Sequence, residues 1–478
     1  MGAPLLYSRH MTRVHAFGDD CLADYDAVGL AQAISRREVS PLEATEAALA
    51  RIDKVNPILN AVAHDDRERA LGRASTVDTT GIFAGVPTAI KNNTDYAGIP
   101  TTHGSGAVPP VNARSNEPFT NQFLSLGVNV VGATTLPAFG LTASTEFVDR
   151  APTVNPWNPA YSAGASSGGS SALVAAGALP IAHANDGGGS IRIPAASCGL
   201  VGLKPTRNRT KPAALAHSLP VDIISNGMVS RTVRDTAHFM YGVEQYQAIS
   251  TMPPVGLVEG PSKRRLKIAL VSESIVDAKV DEQTSAVLQR TADTLASLGH
   301  EIIPMAAPVP DRFIQDFVQY WGLVAFGIEY LGKVSISPKF DRTKIDPLTH
   351  GIAQLFVKKP WLTPGSIRGL QTAEKLYRDV FTGVDLILSP TLSHTTPEIG
   401  YLDPGVEFEE AFDRLVKYVA FTPINNATGG PAISLPVGQS DIGLPIAVHF
   451  SADHGRERTL LEIAFELEAA MGFARIQD

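Results

Sequence analysis

The stretch AGASSGGSS at residues 163–171 and the stretch NDGGGSIRIPA at residues 185–195 carry the densest signal in this sequence. Each is rich in Gly and Ser and opens an apolar segment that is expected to be helical. Because glycine has no side-chain bulk, backbone N–H groups of both loops can point into one shared space, and a helix start adds partial positive charge there. The two loops therefore predict a site that holds an anion.

Phosphate and a catalytic serine elbow are the first two explanations for such a site. Phosphate is disfavoured because neither loop has the G-K-[ST] ending or the G-x-G-x-x-G spacing of nucleotide-binding loops. Residues 164–168, GASSG, fit the G-x-S-x-G elbow centred on Ser166, which requires an acid and a histidine further along the chain. The later histidines His394 and His449 are explained more simply as polar loop or strand positions.

The third explanation is the oxyanion that forms when a hydroxyl attacks an amide or ester carbonyl. Three glycines, residues 187–189, immediately precede Ser190 and would place several N–H donors beside that hydroxyl. Lys91 is a candidate base, since it follows the apolar strand 86–90 and would emerge into the interior. Burial lowers the pKa of a lysine and makes the neutral amine available.

The composition is that of a folded globular protein. The chain has 478 residues, of which 44% are hydrophobic and 18% are charged, and these values exclude disordered and fibrous classes. A net charge of -8, with no long run of Lys or Arg, disfavours nucleic acid as the main partner. The longest apolar run, residues 171–184, is interrupted by Pro180 and His183 and is shorter than the roughly 20 residues that a membrane span needs.

Cysteine usage and the first residues predict a cytoplasmic location. Cys21 and Cys198 lie far apart and form neither a disulfide framework nor a CxxC metal site. Residues 1–13, MGAPLLYSRHMTR, lack the features of a signal peptide or of a membrane anchor. The sequence leaves open whether Met1 or Met11 is the natural start.

Short apolar segments alternate with helical ones from residue 85 onward. Strands are predicted at 85–90, 128–131, 267–271, 301–305, 385–388 and 432–436, and helices at 118–126, 170–176, 282–298 and 459–470. This alternation is typical of an α/β fold with a largely buried mixed sheet. We predict an N-terminal tail at 1–23 and a single domain at 24–474, with a helical preface at about 24–80, a catalytic core at about 81–210 and the remaining sheet and pocket helices at about 211–474.

On these motifs the sequence resembles the amidase signature family. That family has a G-G-S-S-G-G loop, a D-x-G-G-S-I-R-x-P-A segment and a C-G-x-x-G-L-K-P-T segment. This chain has GASSGG at 164–169, DGGGSIRIPA at 186–195 and CGLVGLKPT at 198–206, and its G-V-P-x-x-x-K element is residues 85–91. The resemblance covers roughly residues 24–470, and it implies a central mixed β-sheet with helices on both faces.

The resemblance implies a Ser–cis-Ser–Lys triad that cleaves an amide without a metal or a cofactor. Ser190 would be the nucleophile, Ser166 the bridging serine after a cis peptide bond, and Lys91 the base. The implied oxyanion donors are the backbone N–H groups of Gly187, Gly188, Gly189 and Ser190, and the implied supporting residues are Ser167, Asp186 and Arg192. Asp186 and Arg192 are expected to form an ion pair that orients the loop.

Three positions depart from the family pattern. Ala165 replaces the usual Gly, Asn92 follows Lys91 where Asp is common, and Gly187 stands where a side chain is common. Without the Asp, one negative charge that would favour the protonated lysine is missing. None of the three departures removes a member of the triad.

The predicted function is that of a stand-alone hydrolase acting on C–N bonds other than peptide bonds, in a small or amphipathic carboxylic amide. The segment AHAND at residues 182–186, which contains His183, resembles the branch of the family that hydrolyses nylon-oligomer cyclic dimers. Two alternatives stay open: the glutaminase (A) subunit of a tRNA-dependent amidotransferase, and a catalytically silent member that acts as a binding protein. Ile193 favours the free enzyme, since glutaminase subunits usually have Gln there. A homodimer also stays open.

Overall fold

The structure is a computed structural model that describes residues 13–77, 80–214, 216, 219–276 and 278–478. Residues 1–12, which include both candidate start methionines and half of the expected tail, lie outside the described residues. The rest of that tail is in contact with the domain. Val14 N–H donates to the Pro156 carbonyl oxygen at 2.8 Å and Ala16 N–H to the Ala176 carbonyl oxygen at 2.8 Å. This part of the tail therefore belongs to the packed structure.

The strands form one large sheet and two small ones. In chain order the strands of the described residues are β1 Val62–Asp65, β2 Pro87–Lys91, β3 Asn129–Thr134, β4 Val154–Asn155, β5 Asn158–Ser162, β6 Ile181–Asp186, β7 Val201–Lys204, β8 Ser225–Ser230, β9 Lys267–Leu270, β10 Glu301–Pro304, β11 Leu386–Pro390, β12 Ala432–Gln439 and β13 Pro445–Ser451. The large sheet has the order β10-β9-β11-β13-β12-β7-β8-β6, and a three-stranded sheet has the order β1-β3-β2. Strands β10, β9 and β11 are parallel and the other neighbours in the large sheet are antiparallel. The predicted mixed sheet is confirmed.

Helices account for most of the remaining regular structure. Those of the described residues are α1 Ala27–Ser35, α2 Pro41–Leu59, α3 Arg67–Ala74, α4 Pro118–Leu124, α5 Gly168–Ala175, α6 Arg192–Cys198, α7 Val233–Tyr246, α8 Glu282–Ser297, α9 Phe313–Ser335, α10 Pro347–Lys358, α11 Thr363–Val380, α12 Phe408–Tyr418, α13 Pro423–Thr428 and α14 Glu457–Met471. Short 3₁₀ helices lie at Ala138–Gly140, Arg342–Lys344 and Pro360–Leu362. Within the described part of the chain, no helix combines the length and the apolar character needed to cross a membrane.

Apolar cores lie on both faces of the large sheet. Side chains of successive strand residues point to opposite faces. Accordingly, Ile268 of β9 and Leu388 of β11 belong to one core, which also includes residues of α8 and α14. Their neighbours Ala269 and Ile387 belong to a second core, which includes residues of α9 and α11. The α/β fold with helices on both faces is thus confirmed.

The region expected to be a helical preface, residues 24–80, contains a strand as well. Helix α2 begins as the sequence indicates, with Ser40 and Glu43 forming a capping box. Strand β1, however, pairs antiparallel with β3, and Val62 lies opposite Thr134. This partner lies far along the chain, so four residues of local sequence did not reveal the strand. The division of residues 24–474 into preface, core and remainder stays a prediction.

Strands β2 and β6 bring the three-stranded sheet and the large sheet together where the site lies. Thr88 Oγ1 of β2 donates to the Ile181 carbonyl oxygen of β6 at 3.0 Å. Three residues further on, the Lys91 backbone N–H donates to His183 Nδ1 at 3.2 Å. Both strands end at this junction, β2 at Lys91 and β6 at Asp186. Residues that follow either strand therefore meet in one place.

Candidate active site

Lys91 is the last residue of β2, and its side chain is buried inside the protein. The residue is 0% exposed. Its Nζ lies 2.7 Å from Ser166 Oγ, 2.6 Å from Asn185 Oδ1 and 3.4 Å from the Asn185 carbonyl oxygen. Burial lowers the pKa of Lys91 to about 7, against the Asp186 carboxylate, which acts to raise it. A large fraction of this lysine is therefore the neutral amine at neutral pH.

Ser166 lies two residues before α5, in a loop that passes close to α6. The peptide bond between Ala165 and Ser166 is cis. Gly164 has φ +71°, and a Cβ at this position would lie 2.7 Å from Pro194 Cα. Glycine is therefore required where the loop approaches α6. Ala165, which departs from the family pattern, is fully buried, so its methyl group has been accommodated within the protein.

Ser190 lies between β6 and α6, where it borders open space. Its carbonyl oxygen accepts a hydrogen bond from Ser167 Oγ at 2.6 Å, which ties this loop to the start of α5. Among the described residues, Ser190 Oγ has no hydrogen-bond partner, and no hydrogen bond joins it to Ser166 Oγ. The structure therefore forms the Lys91–Ser166 contact and leaves the Ser190 hydroxyl without a protein partner.

The loop before Ser190 presents backbone N–H groups, but one of the four expected donors is engaged. Gly189 N–H donates to Asp186 Oδ1 at 2.7 Å, so it points into the protein. The N–H groups of Gly187, Gly188 and Ser190 have no acceptor among the described residues. Gly188 is held by its carbonyl oxygen, which accepts from Thr422 Oγ1 at 2.7 Å. The expectation of an oxyanion donor at Gly189 does not agree with this geometry, whereas the other three amides remain available.

A buried ion pair between Asp186 and Arg192 supports the loop that precedes Ser190. Arg192 Nε and Nη2 each donate to the Asp186 carboxylate at 2.9 Å, and both side chains are 0% exposed. Asn426 Nδ2 donates to Asp186 Oδ1 at 2.8 Å. Burial acts to raise the pKa of Asp186, but the Arg192 guanidinium holds that pKa well below its ordinary value. Asp186 is therefore ionised and its charge is balanced within the protein.

Two cavities of different character meet at Ser190. We call the first the apolar cavity; its volume is about 90 Å³, and it is lined mainly by Ile193, Phe313, Phe317, Trp321, Val416 and Ala420. We call the second the wide chamber; its volume is about 570 Å³, and its lining includes Asn93, Asp95, Arg114, Ser166, Asn185 and Gly187. Ser190, Gly140, Leu141 and Trp321 border both.

The wall of the apolar cavity is an aromatic stripe of α9. Phe313, Phe317 and Trp321 follow each other at intervals of four residues, which places them on one side of the helix. The rings of Phe317 and Trp321 stack with their centroids 5.8 Å apart. A flat, apolar group that enters from Ser190 would therefore meet an aromatic surface.

Asn185 and Asn93 are the site residues that sequence reasoning missed. Both line the wide chamber, and Asn185 contacts the lysine directly. The sequence carries one signal for Asn185, which is its place directly before Asp186 and the glycine loop of Ser190. No comparable signal pointed to Phe317, which reaches the site from a helix far along the chain.

No arrangement for a metal ion is found in the described ranges: no three or more His, Cys, Asp or Glu side chains lie close enough together to hold one. Cys198 is buried, and burial raises its pKa above the ordinary range of a thiol. It therefore packs as a small apolar residue in the core.

Comparison with known proteins gives consistent results over nearly the whole chain. The Amidase family profile matches residues 43–461. A relative named "Putative amidase AmiC", from Mycobacterium leprae (strain TN), is 46% identical over 468 residues, covering 98% of this chain and 99% of the relative. The 6-aminohexanoate-cyclic-dimer hydrolase of Pseudomonas sp. (strain NK87) is 33% identical over 475 residues, covering 93% and 94%. A solved structure of 6-aminohexanoate cyclic dimer hydrolase complexed with substrate has a TM-score of 0.83 at 30% identity, covering 95% of this chain and 98% of that one.

The loop geometry predicts opposite outcomes for alanine at two neighbouring glycines. Gly189 has φ +132°, and a Cβ there would lie 2.3 Å from Thr422 Oγ1 and 2.6 Å from Ile193 Cδ1. We expect Gly189→Ala to displace the loop and to slow the labelling of Ser190 by a fluorophosphonate about 100-fold or more. The labelling rate, followed by mass spectrometry of the intact protein, measures this effect.

Gly187→Ala is the matched control. Its Cβ would have its nearest neighbour, Ile224 Cγ1, at 3.8 Å, which is ordinary contact distance. We expect this variant to be labelled at a rate within about threefold of the unmodified protein, because the backbone donors stay in place. Equal rates for the two variants would contradict the loop geometry described above.

Proposed function

This chain belongs to the amidase signature family and is a hydrolase of amide C–N bonds, and from that premise we propose that Lys91, Ser166 and Ser190 carry out the reaction. The observation that supports this most directly is the 2.7 Å contact between Lys91 Nζ and Ser166 Oγ. It lies in an interior where the amine has lost its water, so the neutral form is favoured. A neutral amine beside a hydroxyl is a general base.

The proposed first half of the reaction transfers the acyl group to Ser190. Lys91 takes the proton of Ser166 while Ser166 takes the proton of Ser190, and Ser190 Oγ attacks the carbonyl carbon. The negative charge that develops on the carbonyl oxygen is held by backbone N–H groups, for which Gly187, Gly188 and Ser190 are the available donors. The C–N bond then breaks as the leaving nitrogen takes a proton from Ser166, and Ser166 regains one from Lys91.

The second half releases the acid. A water molecule gives a proton through Ser166 to Lys91 and attacks the ester carbonyl of the acyl-enzyme. When the Ser190–acyl bond breaks, Ser190 Oγ takes a proton back by the same route. The lysine begins and ends each cycle as the neutral amine, so protons balance without any cofactor.

The two cavities differ in which part of the substrate they would receive. The leaving nitrogen must be protonated by Ser166, and Ser166 borders the wide chamber but not the apolar cavity. The amine part of the substrate therefore belongs in the wide chamber. By exclusion the acyl part extends into the apolar cavity, along the stacked rings of Phe317 and Trp321. We accordingly propose an amide with a compact apolar acyl group and a more polar amine part.

The glutaminase alternative is less well supported by the site. Ile193, at the position where glutaminase subunits usually have Gln, lines the apolar cavity rather than offering a polar partner. A glutamine substrate would place its charged ammonium and carboxylate groups at the acyl end, and burying them in this lining would be costly. The cytoplasmic location and the homodimer stay predictions.

Substitution of the two serines tests the proposed roles. We expect Ser190→Ala to abolish both fluorophosphonate labelling and amide hydrolysis, because no acyl-enzyme can form. Ser166→Ala should leave residual labelling of Ser190 and lower kcat/KM about 10³-fold, since the proton relay is lost while the nucleophile remains. A screen of primary, aryl and cyclic amides with glutamine included provides the readout. Hydrolysis of glutamine only, and only in the presence of a copurifying protein, would support the glutaminase subunit. If Ser166→Ala abolishes labelling and Ser190→Ala does not, the serine elbow centred on Ser166 is supported instead.

The pH dependence of kcat/KM should follow the lysine. Because burial lowers the pKa of Lys91 to about 7, the neutral base is scarce below that pH and dominant above it. We expect kcat/KM to rise about tenfold per pH unit below pH ~6 and to level off above pH ~8. Lys91→Met should lower kcat/KM about 10³-fold and remove the rise of kcat/KM with pH. A flat profile between pH 5 and 9 in the unmodified enzyme would rule out a lysine with this pKa as the base.

The assignment of the acyl group to the apolar cavity can be tested with one substitution in each cavity. Val416→Phe adds a ring to the lining of the apolar cavity, whereas Val111→Phe makes the same change in the wide chamber. We expect Val416→Phe to lower kcat/KM for an anilide with a branched or aromatic acyl group about tenfold or more, with little effect on an acetyl anilide. Val111→Phe should not distinguish the two substrates. The reverse pattern would place the acyl group in the wide chamber.

A further inference from the structure

Asn185 lies beside the lysine but has no place in the triad. It is the fifth residue of β6, is 6% exposed, and presents two oxygen atoms to Lys91 Nζ. Its side-chain Oδ1 is 2.6 Å from Nζ and its carbonyl oxygen is 3.4 Å away. Neither atom can donate a hydrogen bond, so each can only accept one.

The neighbours of Nζ determine where its lone pair points. A neutral amine has two N–H donors and one lone pair. Among the described residues its hydrogen-bond neighbours are the two Asn185 oxygens and Ser166 Oγ. When the two N–H groups donate to the two Asn185 oxygens, the lone pair points to the hydroxyl of Ser166. Ser166 is the one neighbour that can donate a proton to it. This is the orientation that a base requires.

A second asparagine holds the amide of Asn185 in the required sense. Asn185 Nδ2 donates to Asn93 Oδ1 at 3.0 Å, and Asn93 Nδ2 donates back to Asn185 Oδ1 at 3.3 Å. With Nδ2 engaged by Asn93, the oxygen of the amide stays toward the lysine. A turned amide would instead point N–H groups at Nζ and occupy its lone pair.

The acceptor is also uncharged, which matters because of the other groups that face the lysine. His183, at the Lys91 backbone, is neutral, since burial and Lys91 lower its pKa to about 3. Asp186 is ionised, but it is paired with Arg192. Ser166, two residues before α5, carries no charge. A carboxylate in the place of Asn185 would be the one unbalanced anion in contact with the amine.

We propose that Asn185, held by Asn93, is a positioning residue that orients Lys91 Nζ toward Ser166 and keeps the amine available as a base. The proposal rests on the proposed function, in which Lys91 is that base. It assigns Asn185 a role in setting the pH range of the enzyme rather than in binding substrate. The pH profile can therefore separate this role from a merely structural one.

Two substitutions of nearly equal size test the proposal. Asn185→Asp keeps an acceptor but adds a charge, and it should raise the midpoint of the kcat/KM profile by at least ~1 pH unit, with activity restored at high pH. Asn185→Leu removes the acceptor, and it should lower kcat about 10- to 100-fold at every pH, with a smaller change in KM. Asn112→Asp is the control, since it adds the same charge to the lining of the wide chamber, at an exposed position that is not among the hydrogen-bond partners of Lys91 Nζ, and it should leave the midpoint within ~0.3 unit.

Each outcome decides the matter. An Asn185→Asp profile with an unchanged midpoint, or an Asn185→Leu variant with full activity, would overturn the proposal. If circular dichroism shows that Asn185→Asp does not fold, the pH profile of the Asn93→Ala variant is measured instead. An unchanged kcat in that variant would overturn the role of Asn93. Failure of the proposed function looks different, because the unmodified enzyme would then lack the pH step and Lys91→Met would remain active.

Discussion

The removal of a lysine amine from water, without a carboxylate in contact with it, is the constraint on which the rest of this site depends. Protonated Lys91 would be an isolated charge in the interior, which is strongly unfavourable. Its immediate neighbours are a hydroxyl and an amide, from Ser166 and Asn185, and neither compensates a full positive charge. The protein thereby keeps a basic amine in its reactive form at a pH where a surface lysine would be protonated.

The ion pair below the loop makes this arrangement compatible with a nearby anion. Asp186 follows Asn185 directly in the chain, and its charge acts to raise the lysine's pKa. Arg192 and Asn426 instead bind both carboxylate oxygens between them, while the same carboxylate fixes Gly189. One buried charge pair thus shapes the loop and limits the electrostatic effect of its own anion on the base.

Sequence reasoning found the parts of this site that are local and missed those that depend on distant segments. Lys91 and Ser190 stand in short motifs whose residue types have a direct chemical reason, and the mixed sheet follows from the alternation of elements. Strand β1 was missed because its four residues alone do not predict its pairing with β3, which lies far along the chain. The aromatic wall on α9 and the neighbouring Val416 come from separate helices, so only the folded chain shows that they meet. The same is true of the Gly189 amide, whose direction depends on the conformation of the loop.

The common border of the two cavities at Trp321 has a consequence for the fate of the acyl-enzyme. If the acyl group fills the apolar cavity as proposed, the ester at Ser190 is open to attack from the wide chamber, which is also the path by which the first product departs. Water and any free amine in solution then compete for one trajectory. An acyl-enzyme arranged in this way would be open to attack by an amine as well as by water, in a ratio governed by the concentration of the competing amine.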